Sequence, residues 1–289
     1  MHLEPITTTL GSEVRGVDLR SDLDEELGLR IHDALVERGV LVFRDQPLDP
    51  QTHIRLAASL GELGVPHPLY KSVDGYPQIN IIRNDAPNPP EAEFWHSDLT
   101  CKPNPPFASV LRGELIPPVG GDTLWVDMRA ACAAMKPSVR ARVEGLVGRN
   151  SLARGFRFLD EFGQSDRQGR LQSQQADTVA EHPVIIRHPV SGVEVLFVND
   201  SFTERLIGVD DAESAALLSQ LFDLARHPRF QMRMRWQRNT VVIWDNWSTQ
   251  HFASGDHYPQ YEREVQRVTV ASSRRAGLFS DRVKEPVAH

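Results

Sequence analysis

A mainly β fold, a jelly-roll barrel with helical buttresses, is what this sequence predicts, and three observations carry the prediction. The C-terminal third is dense in strand signals: Phe230 to Trp236 alternates apolar and polar side chains, Thr240 to Trp244 is continuously apolar, and Gln266 to Val270 closes the set. Over the whole chain about nine short strands can be counted, with helices before and between them, which fits a barrel better than strand-helix-strand winding. No Gly-x-Gly-x-x-Gly or Walker sequence suggests a nucleotide fold, and no internal repeat is visible.

In chain order, a short extended entry precedes a helix from about Asp24 to Glu37, with Leu27, Ile31, Ala34 and Leu35 at helical spacing. Gly39 stops it, and Val40 to Phe43 reads as a buried strand from its β-branched and aromatic content. A second amphipathic helix is predicted from about Pro50 to Leu60, ended by Gly61. Val65 to Tyr70 is too proline-rich for regular structure, a strand lies near Gln78 to Ile82, and Asp85 to Pro90 is a loop with three prolines. Beyond it, Ala108 to Leu111 and Thr123 to Val126 read as short strands around the turn sequence Pro117 to Gly121. Helices follow from about Met128 to Met135 and from Pro137 to Val147, with Pro137 suited to a first helical turn. The polar run from Asp160 to Asp177 has the length and composition of an active-site lid, and a disordered surface insertion without a role reads at least as well. Strands resume at Val184 to Arg187 and Val193 to Val198, and a helix from about Asp211 to Ala225 leads into the C-terminal β region.

With 289 residues, 40% of them apolar, the chain can bury one large core, and no boundary is visible. One domain over residues 1–289 is expected, with a possible lid insertion at about 157–180. Thirty-two basic against 39 acidic residues give a net charge of −7 without a basic block, so neither nucleic acid nor an anionic membrane is an expected partner. An anionic ligand would need local positive charge. Cys101 and Cys132 form no disulfide framework and no Cys-x-x-Cys site. The start of the chain lacks a signal-peptide pattern, and no stretch approaches 18 apolar residues. A cytoplasmic address is expected, and a homo-oligomer, dimer or tetramer, is the expected assembly.

The stretch that organises the chain is Phe94-Trp95-His96-Ser97-Asp98. In an extended segment, side chains two residues apart leave the same face, so His96 and Asp98 can point at one cation. An imidazole and a carboxylate are two corners of the 2-His-1-carboxylate facial triad, which holds Fe(II) and leaves positions open. Taken alone, His-x-Asp arises easily by chance among 11 histidines and 39 acidic residues, and a surface turn capped by Asp98 reads equally well. A third ligand is offered by His251, which follows the apolar strand ending at Trp244 and can fold back beside the first two. Downstream, Arg263 and Arg267 stand four residues apart, on one face of a strand that runs through both. Arginine's planar fork suits bidentate capture of a carboxylate. A ligand followed by an anion clamp is the pattern.

These residues resemble the taurine dioxygenase (TauD/TfdA) family of Fe(II)- and 2-oxoglutarate-dependent dioxygenases, over nearly the whole chain. The resemblance is carried by Gly11 to Leu19, Val40 to Arg44, Trp95-His-Ser-Asp98, Gly120-Gly-Asp-Thr123, Trp244-Asp-Asn246, His251, and Arg263-x-x-x-Arg267-x-Thr269. It implies a double-stranded β-helix, a cupin-like jelly roll, with His96, Asp98 and His251 as iron ligands. It also implies that Thr123 and Arg263 hold the distal carboxylate of 2-oxoglutarate. The implied reaction consumes O2, turns 2-oxoglutarate into succinate and CO2, and hydroxylates a substrate carbon next to a heteroatom. By the same resemblance His67, Tyr70, Phe156 and Phe202 fall at positions lining the substrate pocket, with His67 and Tyr70 on an anionic head group. Arg267 is left to address that second anion.

Two departures stand out. Eleven residues lie between His251 and Arg263, slightly more than in the taurine enzyme, and Gly255 to Pro259 absorb the difference as a loop. Ala92 replaces the asparagine that the taurine enzyme carries four residues before its first histidine ligand. That favours a substrate without the taurine amine: another alkylsulfonate, an alkyl sulfate ester or an aryloxyalkanoate. His53 and His257 match nothing and are expected to be solvated, and Arg263 has an alternative as a cross-strand partner of Glu262 or Glu264. The competing functions are a non-catalytic cupin-like metal-binding module, and a hydrolase using Ser248, His251 and Asp245. The second would need a nucleophile elbow, and none is present.

Overall fold

Strands, not helices, dominate the computed structural model of the chain, which describes residues 1–21, 23–66, 70–90, 93–155 and 178–283. The largest sheet has eight strands, β1 (His2–Pro5), β2 (Ser12–Arg15), β3 (Val40–Phe43), β4 (Ser72–Val73), β5 (Tyr76–Asn84), β6 (Ala108–Leu115), β14 (Val241–Asp245) and β16 (Arg263–Val270). Their spatial order is β1-β2-β3-β14-β6-β16-β5-β4. A smaller sheet has the order β13-β7-β15, built from β7 (Thr123–Asp127), β13 (Gln231–Met234) and β15 (Thr249–Ala253). At the centre of the large sheet, β3-β14-β6-β16-β5, and throughout β13-β7-β15, the neighbours are strands far apart in sequence, as a jelly roll requires. A third sheet joins β8 (Val147–Ser151), β9 (Val179–Pro183) and β12 (Thr203–Ile207), and a ribbon pairs β10 (Ile185–Arg187) with β11 (Glu194–Leu196).

The apolar runs are continuous because the large sheet is covered on both faces. Along β3, Val40 and Val42 join the inner cluster with Trp125, Trp236 and Trp244, while Leu41 and Phe43 join the outer one under the helices. In β14, Val242 and Trp244 face in, and Val241 and Ile243 face out. The helical buttress on the outer face includes α1 (Glu25–Arg38), whose Asp24 carboxylate accepts the Leu27 N–H, and α2 (Pro50–Ala58), capped in the same way by Asp49. Gly39 ends α1 with φ of 70°, and a Cβ there would meet Leu10 Cδ1 at 2.9 Å. Helices α3 (Met128–Ala133), α4 (Pro137–Val143) and α5 (Asp211–Arg226) complete the described set.

Several expected boundaries are corrected. The helix expected from Pro137 to Val147 ends at Val143, because Gly145 takes a left-handed φ of 78° and the chain turns into β8. The helix expected to reach Leu60 stops at Ala58. The extended entry is a paired hairpin, β1 with β2, and the described residues hold sixteen strands where about nine were expected. The run expected as a lid lies outside the described residues except at its end, 178–180, which leads into β9. Among the described residues no helix is long and apolar enough to cross a membrane. Both cysteines are free thiols in the interior.

Candidate active site

His96 and His251 form an isolated antiparallel bridge in which each N–H donates to the other's carbonyl, at 3.1 and 2.8 Å. Directly opposed residues on antiparallel segments present their side chains on one face. The two imidazoles therefore meet, with ring centroids 4.0 Å apart. This corrects two expectations. His251 follows the apolar strand β14 as expected but lies within a further strand, β15, and the His-x-Asp stretch is a single bridge at His96 followed by a turn at Asp98, with Leu99 at a φ of 53°. Asp98 is brought in by that turn.

The turn is held by Asn246, just past β14. Its side-chain oxygen accepts the Asp98 N–H at 2.7 Å, and its amide group donates to the carbonyls of Asp98 and Pro106, both at 3.1 Å. Ser97 adds a bond from its hydroxyl to the Thr249 carbonyl at 2.8 Å. The Asp98 carboxylate then reaches across to the large sheet: Oδ2 accepts from Ser109 Oγ on β6 at 3.1 Å, and Oδ1 lies 3.5 Å from Arg267 Nη1 on β16. Ligand atoms of His96, Asp98 and His251 lie within 4.8 Å of one another. Among the described residues this is the one such group of histidine, cysteine and acidic side chains able to surround a metal ion.

The protonation states suit a cation. Nδ1 of His96 is 3.0 Å from the Phe94 carbonyl, which can only accept, so Nδ1 carries the proton and Nε2 keeps its lone pair beside Asp98 Oδ1, at 3.9 Å. Nδ1 of His251 is buried with no hydrogen-bond partner. Burial pushes both imidazoles below their usual range, His251 to about 3 with His96 adding to the effect. Burial opposes ionisation of Asp98, but the Arg267 guanidinium and the two imidazoles outweigh it and bring the carboxyl down to about 2. Two neutral imidazoles and one ionised carboxylate form a donor set that could hold a divalent transition metal.

Arg263 lies in the same interior. It is 4% exposed, its Nε donates to the Gly121 carbonyl at 3.1 Å, and its guanidinium carbon sits 5.6 Å from the centre of the Trp236 ring. Burial lowers its pKa to about 10, with Asp122 offsetting part of the effect. The suggested pairing with Glu262 or Glu264 does not occur: both carboxylates bind Arg83, at 2.7 and 3.1 Å. No carboxylate among the described residues lies within ion-pair distance of Arg263. A buried ion costs several kcal/mol unless a counter-charge reaches it, so an anion beside Arg263 would relieve that cost. The Gly120-Gly121 pair has a steric reason here, since a Cβ on Gly121 would meet Arg263 Cδ at 2.9 Å. Thr123 is buried beside this corner, and its Oγ1 accepts the Trp236 indole N–H at 2.9 Å.

Of the expected substrate residues, Arg267 stacks on Tyr70, its guanidinium carbon 5.7 Å from the ring centre. Phe202 joins a small apolar cluster with Cys101 and Leu152, and Leu99, next to Asp98, packs against it. His67, Phe156 and Ala92 lie outside the described residues. His53 and His257 are not solvated: both are buried, because His53 turns inward from α2 to place Nε2 3.0 Å from the Val110 carbonyl, and His257 is covered by the Gly120 turn. A hydrolytic relay is not assembled either. Asp245 bonds to His188 Nε2 at 2.9 Å and to the Trp247 N–H, while Ser248 Oγ has no partner. Sequence reasoning missed Asn246 and Trp236 as supports of the site. Only the motif Trp244-Asp-Asn246 pointed at the first, and no local signal marks the second.

A jelly roll whose sheets bring two imidazoles and a carboxylate together, with a buried arginine in the same interior that meets no carboxylate among the described residues, fits one class, the mononuclear non-haem metal oxygenases. The chain belongs to the TauD/TfdA family: residues 2–269 match the family described as "Taurine catabolism dioxygenase TauD, TfdA family". It is 34% identical over 273 residues to an alkylsulfatase of Acinetobacter baylyi, covering 94% of this chain and 85% of that protein. It is also 34% identical over 281 residues to an alpha-ketoglutarate-dependent sulfate ester dioxygenase of Pseudomonas putida, covering 96% and 92%. A crystal structure of a taurine dioxygenase from Burkholderia xenovorans has a TM-score of 0.80 and 32% identity, covering 96% of this chain and 92% of that one.

Proposed function

We propose that this protein is an Fe(II)- and 2-oxoglutarate-dependent dioxygenase that hydroxylates a small organic anion at a carbon next to a heteroatom. The observation that carries the reading is the convergence of His96, Asp98 and His251 within 4.8 Å, in the same interior as a buried Arg263 that has no carboxylate partner among the described residues. When bound, iron and 2-oxoglutarate supply the oxidising chemistry: with O2 the oxo acid becomes succinate and CO2, and one oxygen atom goes to the substrate C–H bond. His96, Asp98 and His251 are the metal ligands in this reading. Arg263 and the Thr123 hydroxyl take the distal carboxylate, and the buried walls of the barrel keep water away from it. A metal-binding module without catalysis gives no reason for the uncompensated charge of Arg263.

For the substrate, Arg267 supplies the positive charge and Tyr70 its aromatic platform, with Phe202 on the apolar side; His67 and Phe156 are assigned to the substrate by the family resemblance alone. An arginine that already faces Asp98 can turn its free donors to a sulfonate, a sulfate ester or a carboxylate. Hydroxylation beside the heteroatom gives a product that breaks down to a carbonyl compound and the released heteroatom group, sulfate, sulfite or a phenol. The two relatives named for alkyl sulfates and sulfate esters put that class first. One catalytic domain over residues 1–289 with a lid near 157–180, a cytoplasmic address and a dimeric or tetrameric assembly belong to the same proposal, the last checked by light scattering.

The test follows succinate by mass spectrometry across alkyl sulfate esters, alkylsulfonates and aryloxyalkanoates, each against a neutral isostere. Anions are expected to raise succinate formation in step with their own hydroxylation, and Arg267→Leu should abolish the dependence on substrate charge. A neutral isostere coupled as efficiently as its anion by the unmutated enzyme would defeat the assignment. Asn246→Ala is expected to lower metal affinity by about 10- to 100-fold, the usual consequence of losing a support behind a ligand. Metal titration with a thermal melt checks this: intact affinity with a lowered melting temperature would mean that Asn246 serves the fold alone.

A further inference from the structure

Trp236 follows β13 and is 2% exposed, in the inner cluster it shares with Trp125 and Trp244. The indole N–H groups of those two neighbours are buried without a hydrogen-bond partner. That of Trp236 is used, donating to Thr123 Oγ1 at 2.9 Å in a fully buried bond. An indole can only donate, so the Thr123 oxygen is the acceptor in this bond and its own proton is left to point elsewhere. The face of the same ring lies 5.6 Å from the Arg263 guanidinium carbon, a cation–π contact with a charge that no carboxylate among the described residues meets. One side chain thus touches both groups assigned to the distal carboxylate.

We infer that Trp236 is a positioning residue for the cosubstrate: its N–H turns the Thr123 hydroxyl into a donor aimed at the incoming carboxylate, and its ring fixes the Arg263 guanidinium. The inference rests on the proposed function and adds the group that pre-orients its anion site. Without the indole, the Thr123 hydroxyl is free to rotate and accept, for instance from water, and the carboxylate must reorient it on binding. Trp236→Phe keeps the aromatic face under Arg263 and removes only the hydrogen bond, so it isolates the effect on Thr123.

The experiment is calorimetric titration of 2-oxoglutarate into anaerobic Fe(II)-loaded protein, with steady-state kinetics beside it. For Trp236→Phe the dissociation constant for 2-oxoglutarate should rise about five- to tenfold, the effect of one neutral hydrogen bond. Metal affinity is unchanged, and the loss falls on KM for 2-oxoglutarate rather than on kcat. Thr123→Val should weaken 2-oxoglutarate comparably, and adding Trp236→Phe to it should cost nothing more, because the tryptophan acts through the hydroxyl. Should Trp236→Phe fail to fold, benzothienylalanine at position 236, which keeps the shape of the tryptophan and replaces the indole N–H by sulfur, tests the same link with the same expected rise. A wild-type dissociation constant in Trp236→Phe, factors that multiply in the double variant, or an unaltered constant in Thr123→Val would each overturn the inference. Unmutated protein that binds no 2-oxoglutarate overturns the proposed function instead, so the two failures are told apart.

Discussion

Asp98→Ala is expected to purify without stoichiometric iron and to turn over no measurable 2-oxoglutarate, while its thermal melt without metal stays close to that of the unmutated protein. Removing the carboxylate leaves two neutral imidazoles with Arg267 beside them, once 3.5 Å from Asp98 Oδ1. The site changes from a negative donor balanced by a nearby guanidinium to an uncompensated positive charge, which repels a dication. His251→Ala should behave alike, since it removes the ring that meets His96 at 4.0 Å. Metal analysis of the purified proteins and succinate assays with added iron and ascorbate read the outcome. Turnover that survives strong chelation, or iron retained by Asp98→Ala, would sink the assignment of these ligands.

The parts of this site that were legible in the sequence are those where a side chain announces its environment. Val40 to Phe43 and Val241 to Trp244 are apolar throughout because both faces of the large sheet are buried, and α1 is bounded by an aspartate cap and a left-handed glycine. What stayed hidden is polar and buried. Strand β15 reads as Thr-Gln-His-Phe-Ala and gives no apolar signal, yet its first three residues are buried. They can be, because Thr249 Oγ1 donates to the Asp245 carbonyl at 2.7 Å and the Gln250 side chain to the Val198 carbonyl at 2.8 Å. His251 was therefore expected beside a strand when it is part of one. Burial of His53 escaped notice for the same reason, its carbonyl partner lying on a distant strand.

The Arg263 and Arg267 pair shows the limit from the other side. Spacing along a strand gave their shared face, and their neighbour Val265 does lie in the inner cluster. Spacing says nothing of partners, however. That the flanking glutamates are drawn off by Arg83, or that Arg267 leans on the Asp98 carboxylate, depends on residues brought from other strands. Asn246 and Trp236 are supports of the same kind, recognisable only once Asp98 and Thr123 are beside them.

Arg263→Ala is expected to raise the apparent constant for 2-oxoglutarate far more than it disturbs iron. A buried, hydrogen-bonded charge pair loses about 2 to 5 kcal/mol when one partner is truncated, which corresponds to roughly 30- to 5,000-fold in affinity. Arg263→Lys should recover only part of this, because an ammonium keeps the charge but not the fork that matches two oxygens. Stability separates a ligand-binding arginine from a structural one. In the absence of ligand the guanidinium is buried with no carboxylate among the described residues to offset it, so Arg263→Met, which keeps much of the side-chain bulk, should melt no lower than the unmutated protein and even somewhat higher. Adding 2-oxoglutarate with metal should raise the melting temperature of the unmutated protein by mass action and leave that of Arg263→Met nearly unmoved. Melting curves with and without 2-oxoglutarate, together with metal titrations, give both quantities. A ligand-free Arg263→Met that melts well below the unmutated protein, or Arg263→Ala with equal losses for iron and 2-oxoglutarate, would instead make Arg263 a structural residue that holds the Gly121 turn.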